Sequence, residues 1–133
     1  MKILFIEDDQ VEMMKMNRAI SKLQAKHQLI WAENGHEALS ELMSCSRLPD
    51  LIVLDLNMPR MNGNEFLKSI KESELFKYIP VVVLTTSQNR DDMIDCYSNG
   101  IAGYVVKPLK YEDYVKKIDK ILAYWEVNDI VPA

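Results

Sequence analysis

Residues 51–63 read LIVLDLNMPRMNG: four branched apolar residues, Leu51 to Leu54, then Asp55, then a loop carrying Asn57, Pro59 and Gly63. A short apolar run that ends on an acid and passes into turn residues reads as a strand buried on both faces. The same grammar recurs on either side. Ile3 to Ile6 runs into Glu7-Asp8-Asp9, and Val81 to Leu84 runs into Thr85-Thr86-Ser87. Two weaker strands are expected at Leu29 to Ala32, leading into the turn pair Asn34-Gly35, and at Gly103 to Val106, closed by Lys107-Pro108. Helical stretches fill the intervals: Val11 to Lys26, His36 to Cys45, Asn64 to Ser73, Asp91 to Asn99 and Tyr111 to Tyr124. In the first, Met16, Ile20 and Leu23 recur at helical spacing. In the last, Tyr114, Val115, Ile118, Ile121 and Leu122 do the same.

Strict alternation of strand and helix predicts an α/β fold, with an open parallel sheet and helices on both faces, because right-handed crossovers put them there. Sheets of this kind carry their sites at the carboxyl ends of the strands, near a topological switch point. With 133 residues, 48% of them apolar, the chain supports one buried core. A single domain over residues 1–125 and a tail over 126–133 are expected.

The net charge of -4 supplies no basic footprint for a nucleic-acid backbone, so no nucleic acid is expected as a partner. Cys45 and Cys96 are far apart and lack metal-ligand spacing. The apolar run at the start is too short to span a membrane and lacks the layout of a signal peptide. A reduced cytoplasmic setting without membrane attachment is the expectation.

The residues just beyond the apolar runs are Glu7 and Asp8, Asp55, Thr85 and Lys107, and the fold class brings these loops to one edge. Three carboxylates together repel and raise one another's pKa values unless a cation lies between them. A hard divalent ion suits them: Mg2+ accepts carboxylate oxygens and bridges to phosphate, whereas zinc calls for His or Cys. Lys107 as a point cation and Thr85 as a hydroxyl donor would then hold the oxygens of a transferring phosphoryl group, leaving Asp55 as nucleophile. Charge neutralisation and positioning carry such chemistry, so neither His27 nor His36 is needed.

These residues resemble the response-regulator receiver family over Ile3 to about Leu122. IEDD at Ile6 to Asp9 is similar to the family's acidic pair, LDLNMPRMNG at Leu54 to Gly63 to its phosphoacceptor loop, VLTTS at Val83 to Ser87 to its switch-hydroxyl strand, and GYVVKP at Gly103 to Pro108 to its lysine loop. The resemblance implies a flavodoxin-like, doubly wound sheet of five parallel strands in the order 2-1-3-4-5 with five helices. It implies Asp55 as phosphoacceptor, Asp8 and Asp55 as direct Mg2+ ligands, the Asn57 carbonyl as a further ligand, and Glu7 acting on the metal through water. Lys107, Thr85 and the Thr86 backbone amide would meet the phosphoryl group, with Tyr104 as the aromatic switch that follows Thr85. The Lys107-Pro108 peptide would be cis.

Two positions stay open. Asp8 and Asp9 form a second possible acidic pair, although Ile6 as the last apolar residue favours Glu7 and Asp8. Thr86 stands where many receivers carry Ala or Ser, but neighbours on a strand face opposite ways, which argues for Thr85 alone. In isolation, Asp55 reads as a turn residue, Lys107 as a solvated edge lysine and Thr85 as a β-branched strand residue. Their joint order and spacing outweigh those readings. The methionines at 13, 14 and 16 read as helix packing or an ordinary partly exposed stripe rather than a ligand set.

The expected function is a phosphoacceptor in a two-component or phosphorelay system, a signalling module rather than an enzyme, charged by a histidine kinase or phosphotransfer protein. Output would pass to a downstream protein partner, or to a homodimer formed through the fourth helix, fifth strand and fifth helix. The tail LAYWEVNDIVP, Leu122 to Pro132, resembles those of receivers paired with phytochrome-type kinases. The alternative is a haloacid-dehalogenase-like phosphatase. Its DxD nucleophile follows the first strand, whereas Asp55 follows the third and Asn57 stands two residues on. A flavin module is disfavoured because carboxylates at the switch point repel an anionic cofactor.

Overall fold

The computed structural model describes residues 1–23, 26–56 and 63–131. Ten elements alternate along the chain: β1 (Lys2–Ile6), α1 (Gln10–Ser21), β2 (Gln28–Ala32), α2 (Gly35–Ser44), β3 (Leu51–Leu54), α3 (Gly63–Glu72), β4 (Val81–Thr85), α4 (Arg90–Ser98), β5 (Gly103–Val106) and α5 (Tyr111–Val127). All pairings are parallel, in the order β2-β1-β3-β4-β5. The flavodoxin-like order expected above is the observed one.

The central strands β1, β3 and β4 are buried along their whole length, which is why they read as continuous apolar runs. Alternate side chains feed two cores. Leu4, Ile6, Ile52, Leu54, Val81 and Val83 meet Ala38 and Leu42 of α2, Phe66, Leu67 and Ile70 of α3, and Cys96 of α4. Ile3, Phe5, Leu51, Val53, Val82 and Leu84 meet Met16, Ala19 and Ile20 of α1 and Tyr114, Ile118 and Leu122 of α5. Helices α1 and α5 therefore cover one face, and α2, α3 and α4 the other. The chain moves from β1 outward to β2 and then returns to β3 on the opposite side of β1. The carboxyl ends of β1 and β3 thus flank the switch point.

Local chemistry fixes the helix ends. Asp9 caps α1 by accepting from the Val11 amide at 2.8 Å, Asn34 caps α2 through Glu37 at 2.9 Å, and Asn89 caps α4 through Asp91 at 2.8 Å. Helix α4 ends on Gly100 with φ at 85°, whose amide donates to Tyr97 while Ile101 donates to Cys96. That pair of bonds needs a residue in the left-handed region, which glycine enters without a Cβ penalty.

Three expectations need correction. Helix α1 ends at Ser21, not Lys26, because Lys22 turns back to the Ala19 and Ile20 carbonyls as its cap. Helix α5 runs three residues past Tyr124 to Val127, with Trp125 packed against the α1–α5 core and Glu126 paired with His27 Nε2 at 2.9 Å. The Lys107-Pro108 peptide is trans, like every peptide among the described residues. Trans is the lower-energy isomer by roughly 0.5–1 kcal/mol, and in it the Lys107 amide already bonds the Thr85 carbonyl at 2.7 Å.

Candidate functional site

The sheet delivers Glu7, Asp55, Thr85 and Lys107 to its carboxyl edge, each at or just past a strand end. Backbone bonds hold the two acidic loops in place: the Glu7 amide donates to the Ala32 carbonyl and the Asp55 amide to the Ile6 carbonyl, both at 3.0 Å. The Trp31 indole closes over the same turn by donating to the Glu7 carbonyl at 2.7 Å.

Glu7 is 2% exposed and Asp55 7%, while Asp8 opens to solvent. One carboxylate oxygen from each of the three lies within 4.8 Å of those of the other two. Asp9 stands apart from this cluster as the α1 cap, so the cluster is Glu7-Asp8-Asp55. The crowding has an electrostatic signature. Burial first, then the Asp55 charge, push the Glu7 carboxyl up to about 8, against the pull of Lys107; a hydrogen bond with Asp55 and the charge of Asp8 add to the rise.

Glu7 Oε2 is buried with no hydrogen-bond partner. An oxygen-only donor set with a buried orphan oxygen fits a hard divalent cation. Asn57, assigned a carbonyl ligand from the sequence, lies outside the described residues.

Lys107 is 8% exposed through its side chain, and its ammonium lies 3.7 Å from Glu7 Oε2 and 3.5 Å from Glu12 Oε2. Glu12, in the first turn of α1, was not singled out in the sequence. An acid there reads as an ordinary partner of the helix dipole, and only its ion pair with Lys107, just past β5, reveals where it points.

The two threonines separate as the strand pleat requires. Thr85 is fully buried and its Oγ1 accepts from the Ser87 amide at 3.2 Å, whereas Thr86 is exposed. Tyr104 lies on β5 opposite Val83, partly buried against the α3–α4 core, and its hydroxyl donates to the Ser87 carbonyl at 3.0 Å. Burial, the leading cause, raises the phenol's pKa against that hydrogen bond. Among the described residues, no helix is long and apolar enough to cross a membrane.

Comparison with known proteins agrees with this geometry. The family model for the response regulator receiver domain matches residues 3–119. The chain is 39% identical to the probable methanogenesis regulatory protein FilR2 of Methanothrix harundinacea, over 92% of this chain and 82% of that one. It is 35% identical to the response regulator Rcp1 of Synechocystis, over 98% and 92%. The solved structure of the phosphorylated cyanobacterial phytochrome response regulator RcpA superposes with a TM-score of 0.91 at 31% identity, covering 99% of this chain and 98% of that one. The manganese-bound form of Rcp1 gives 0.88 at 34% identity, covering 99% of each.

These relatives leave the phosphatase alternative without support, and its expected nucleophile after the first strand does not match the place of Asp55 after β3. By strand order, by the acidic edge and by a match that spans most of its length, the chain belongs to the response regulator receiver domain family, the signalling regulators of two-component systems.

Proposed function

We propose that Asp55 is the phosphoacceptor and that the chain is charged from a phosphohistidine on a histidine kinase or phosphotransfer protein. The observation that carries this reading is a buried Asp55 at the switch point, clustered with Glu7 and Asp8 on the sheet edge that also receives Lys107. Asp8, Asp55 and the Asn57 carbonyl would hold Mg2+ directly, with Glu7 acting through water. When bound, the ion neutralises the clustered carboxylates and the charge of the phosphoryl oxygens.

A carboxylate oxygen of Asp55 forms the new bond to phosphorus as the phosphorus–nitrogen bond of the donor breaks, and the imidazole leaves with the electron pair. Lys107 offers its ammonium to the phosphoryl oxygens. The Thr85 hydroxyl and the Thr86 amide donate to them, and burial of Asp55 and Glu7 keeps bulk water from screening those contacts. Drawing the Thr85 hydroxyl toward Asp55 takes it from the Ser87 amide and frees Tyr104 to turn inward. Output then passes to a downstream protein or a second copy through α4, β5 and α5, in a cytoplasmic setting.

Intact-mass measurement with a small acyl phosphate and Mg2+ tests the assignment. The wild-type chain should gain one phosphoryl group and Asp55→Asn none, because an amide is a far poorer nucleophile. Labelling of Asp55→Asn at the wild-type rate would remove Asp55 from the role.

A further inference from the structure

Lys107 is gripped from two elements. Glu7, at the end of β1, belongs to the acidic cluster; Glu12, on α1, stands outside it. The Glu12 oxygen that faces the ammonium at 3.5 Å is buried and accepts no hydrogen bond. Its other oxygen meets Lys15 Nζ at 3.4 Å, and that ammonium in turn lies 4.8 Å from the ring centre of the buried Tyr114. Glu12 is therefore fixed between two cations, with one oxygen turned into the interior beside the sheet edge.

We propose that Glu12 is a positioning residue for Lys107, holding its ammonium on the α1 side of the site and competing with the phosphoryl group for it. The inference rests on the reading of Lys107 as the cation that meets the phosphoryl oxygens. An ammonium is a compact charge on a flexible stem, so it takes whichever anionic neighbour is better placed. A contact made in the resting state and stretched or lost when Lys107 turns toward Asp55 stabilises only the resting state. It therefore opposes phosphoryl retention by its own free energy. Glu7 lies inside the acidic cluster, whereas Glu12 brings a carboxylate to Lys107 from another element.

A double-mutant cycle on Glu12→Gln and Lys107→Met tests the proposal, with beryllium trifluoride as phosphoryl mimic titrated by calorimetry at fixed Mg2+. Glu12→Gln should tighten binding of the mimic on the order of fivefold in the wild-type background and leave it unchanged once Lys107 is Met. Glu12→Ala should repeat the result, which shows that the new amide is not itself acting on Lys107. In metal-free buffer, urea midpoints of the four proteins should be non-additive, since the pair exists before any ligand binds. Tightening that persists with Lys107→Met, or additive midpoints, would overturn the proposal in favour of general charge relief. Lys107→Met that weakens the mimic while Glu12→Gln matches wild type would sink the proposal alone. Lys107→Met that binds the mimic as wild type does would sink the reading of Lys107 beneath it.

Discussion

Tyr104 donates its hydroxyl to the Ser87 carbonyl at 3.0 Å, across the loop that leaves β4. The Ser87 amide is the donor to Thr85 Oγ1, and the Ser87 hydroxyl donates to Asp92 on α4. One residue thus joins the buried threonine, the edge-strand tyrosine and the fourth helix. Thr85→Ala removes the acceptor of the Ser87 amide and should cost about 1 kcal/mol of stability. The exposed Thr86→Ala should stay within about 0.5 kcal/mol of wild type. Thr85→Ala should still take a phosphoryl group but show no shift of the Ser87 and Asp92 amide resonances when it does. A full shift in that variant, or its loss in Thr86→Ala instead, would assign the switch to the wrong hydroxyl.

The Glu7 carboxyl predicts how stability depends on pH without metal. Unfolded, it ionises near 4.5; folded, near 8, so between those values the native chain binds a proton that the unfolded chain has lost. This contribution is fully present below the unfolded value and disappears as pH rises through the folded one. Burial lowers the His27 pKa from its ordinary 6.5 and gives the opposite slope below that value, so the metal-free melting temperature should fall from about pH 6.5 to about pH 8. Mg2+ should flatten that fall and release protons on binding. Thermal melts with EDTA and with Mg2+ decide it, and a metal-free midpoint that climbs over this window would contradict the argument.

Asp8 should show the same repulsion from its solvent side. Asp8→Asn removes a charge that helps raise the Glu7 value, so it should raise the metal-free midpoint by a few degrees while reducing the further rise that Mg2+ gives. Equal Mg2+-induced shifts in variant and wild type would take Asp8 out of the metal site.

All five strands and helices were legible because the central strands are apolar on both faces, α1, α2, α3 and α5 each carry a buried stripe, and α4, which buries Cys96 alone, fills the interval between two strands. The ends were less so. Leu23 continues the α1 period, yet it lies beyond the cap and packs on the core from the turn, its amide bonded to Ile20. Nothing local announces that α5 continues to Val127, since the Glu126–His27 contact joins residues about a hundred positions apart. At the site, Glu7, Asp8, Asp55, Thr85 and Lys107 were found as residues ending apolar runs. Asp9 was separable only by its cap, and Glu12 only by tertiary packing.

Gly63 couples the start of α3 to the acidic edge. A Cβ built there meets Leu56 Cα at 3.0 Å and the Asp55 carbonyl oxygen at 3.2 Å, both backbone atoms that yield poorly. Gly63→Ala should cost about 1–3 kcal/mol by overpacking. It should also slow labelling of Asp55 by a small phosphodonor, because the displaced backbone is that of Asp55, the proposed acceptor. Wild-type stability and labelling together would show that the loop absorbs the methyl group elsewhere.

The α4–β5–α5 face carries the last prediction. Val105, Ile121, Tyr124 and Trp125 line a largely apolar groove between β5 and α5, and β5 is an edge strand. Tyr124 is 57% exposed, whereas Trp125 packs against the core, with the two rings edge to face at 5.0 Å. The aromatics therefore divide the work: Tyr124 is free to meet a partner, and Trp125 mainly holds α5 in place. On the proposed reading, turning Tyr104 on the same face would alter the surface between the two states and so link the phosphoryl state to self-association. Sedimentation velocity over a concentration series should show a monomer that dimerises, or a weak dimer that tightens, when Mg2+ and a phosphoryl mimic are added. Tyr124→Ala should weaken that association without lowering the urea midpoint, because an exposed ring contributes contact area to a partner rather than to the fold. Trp125→Ala should lower both the midpoint and the unfolding free energy, the latter by about 2 kcal/mol, less than the loss of a fully buried tryptophan. Unchanged mass in wild type with the mimic, and in Tyr124→Ala, would leave a different protein as the recipient of the signal.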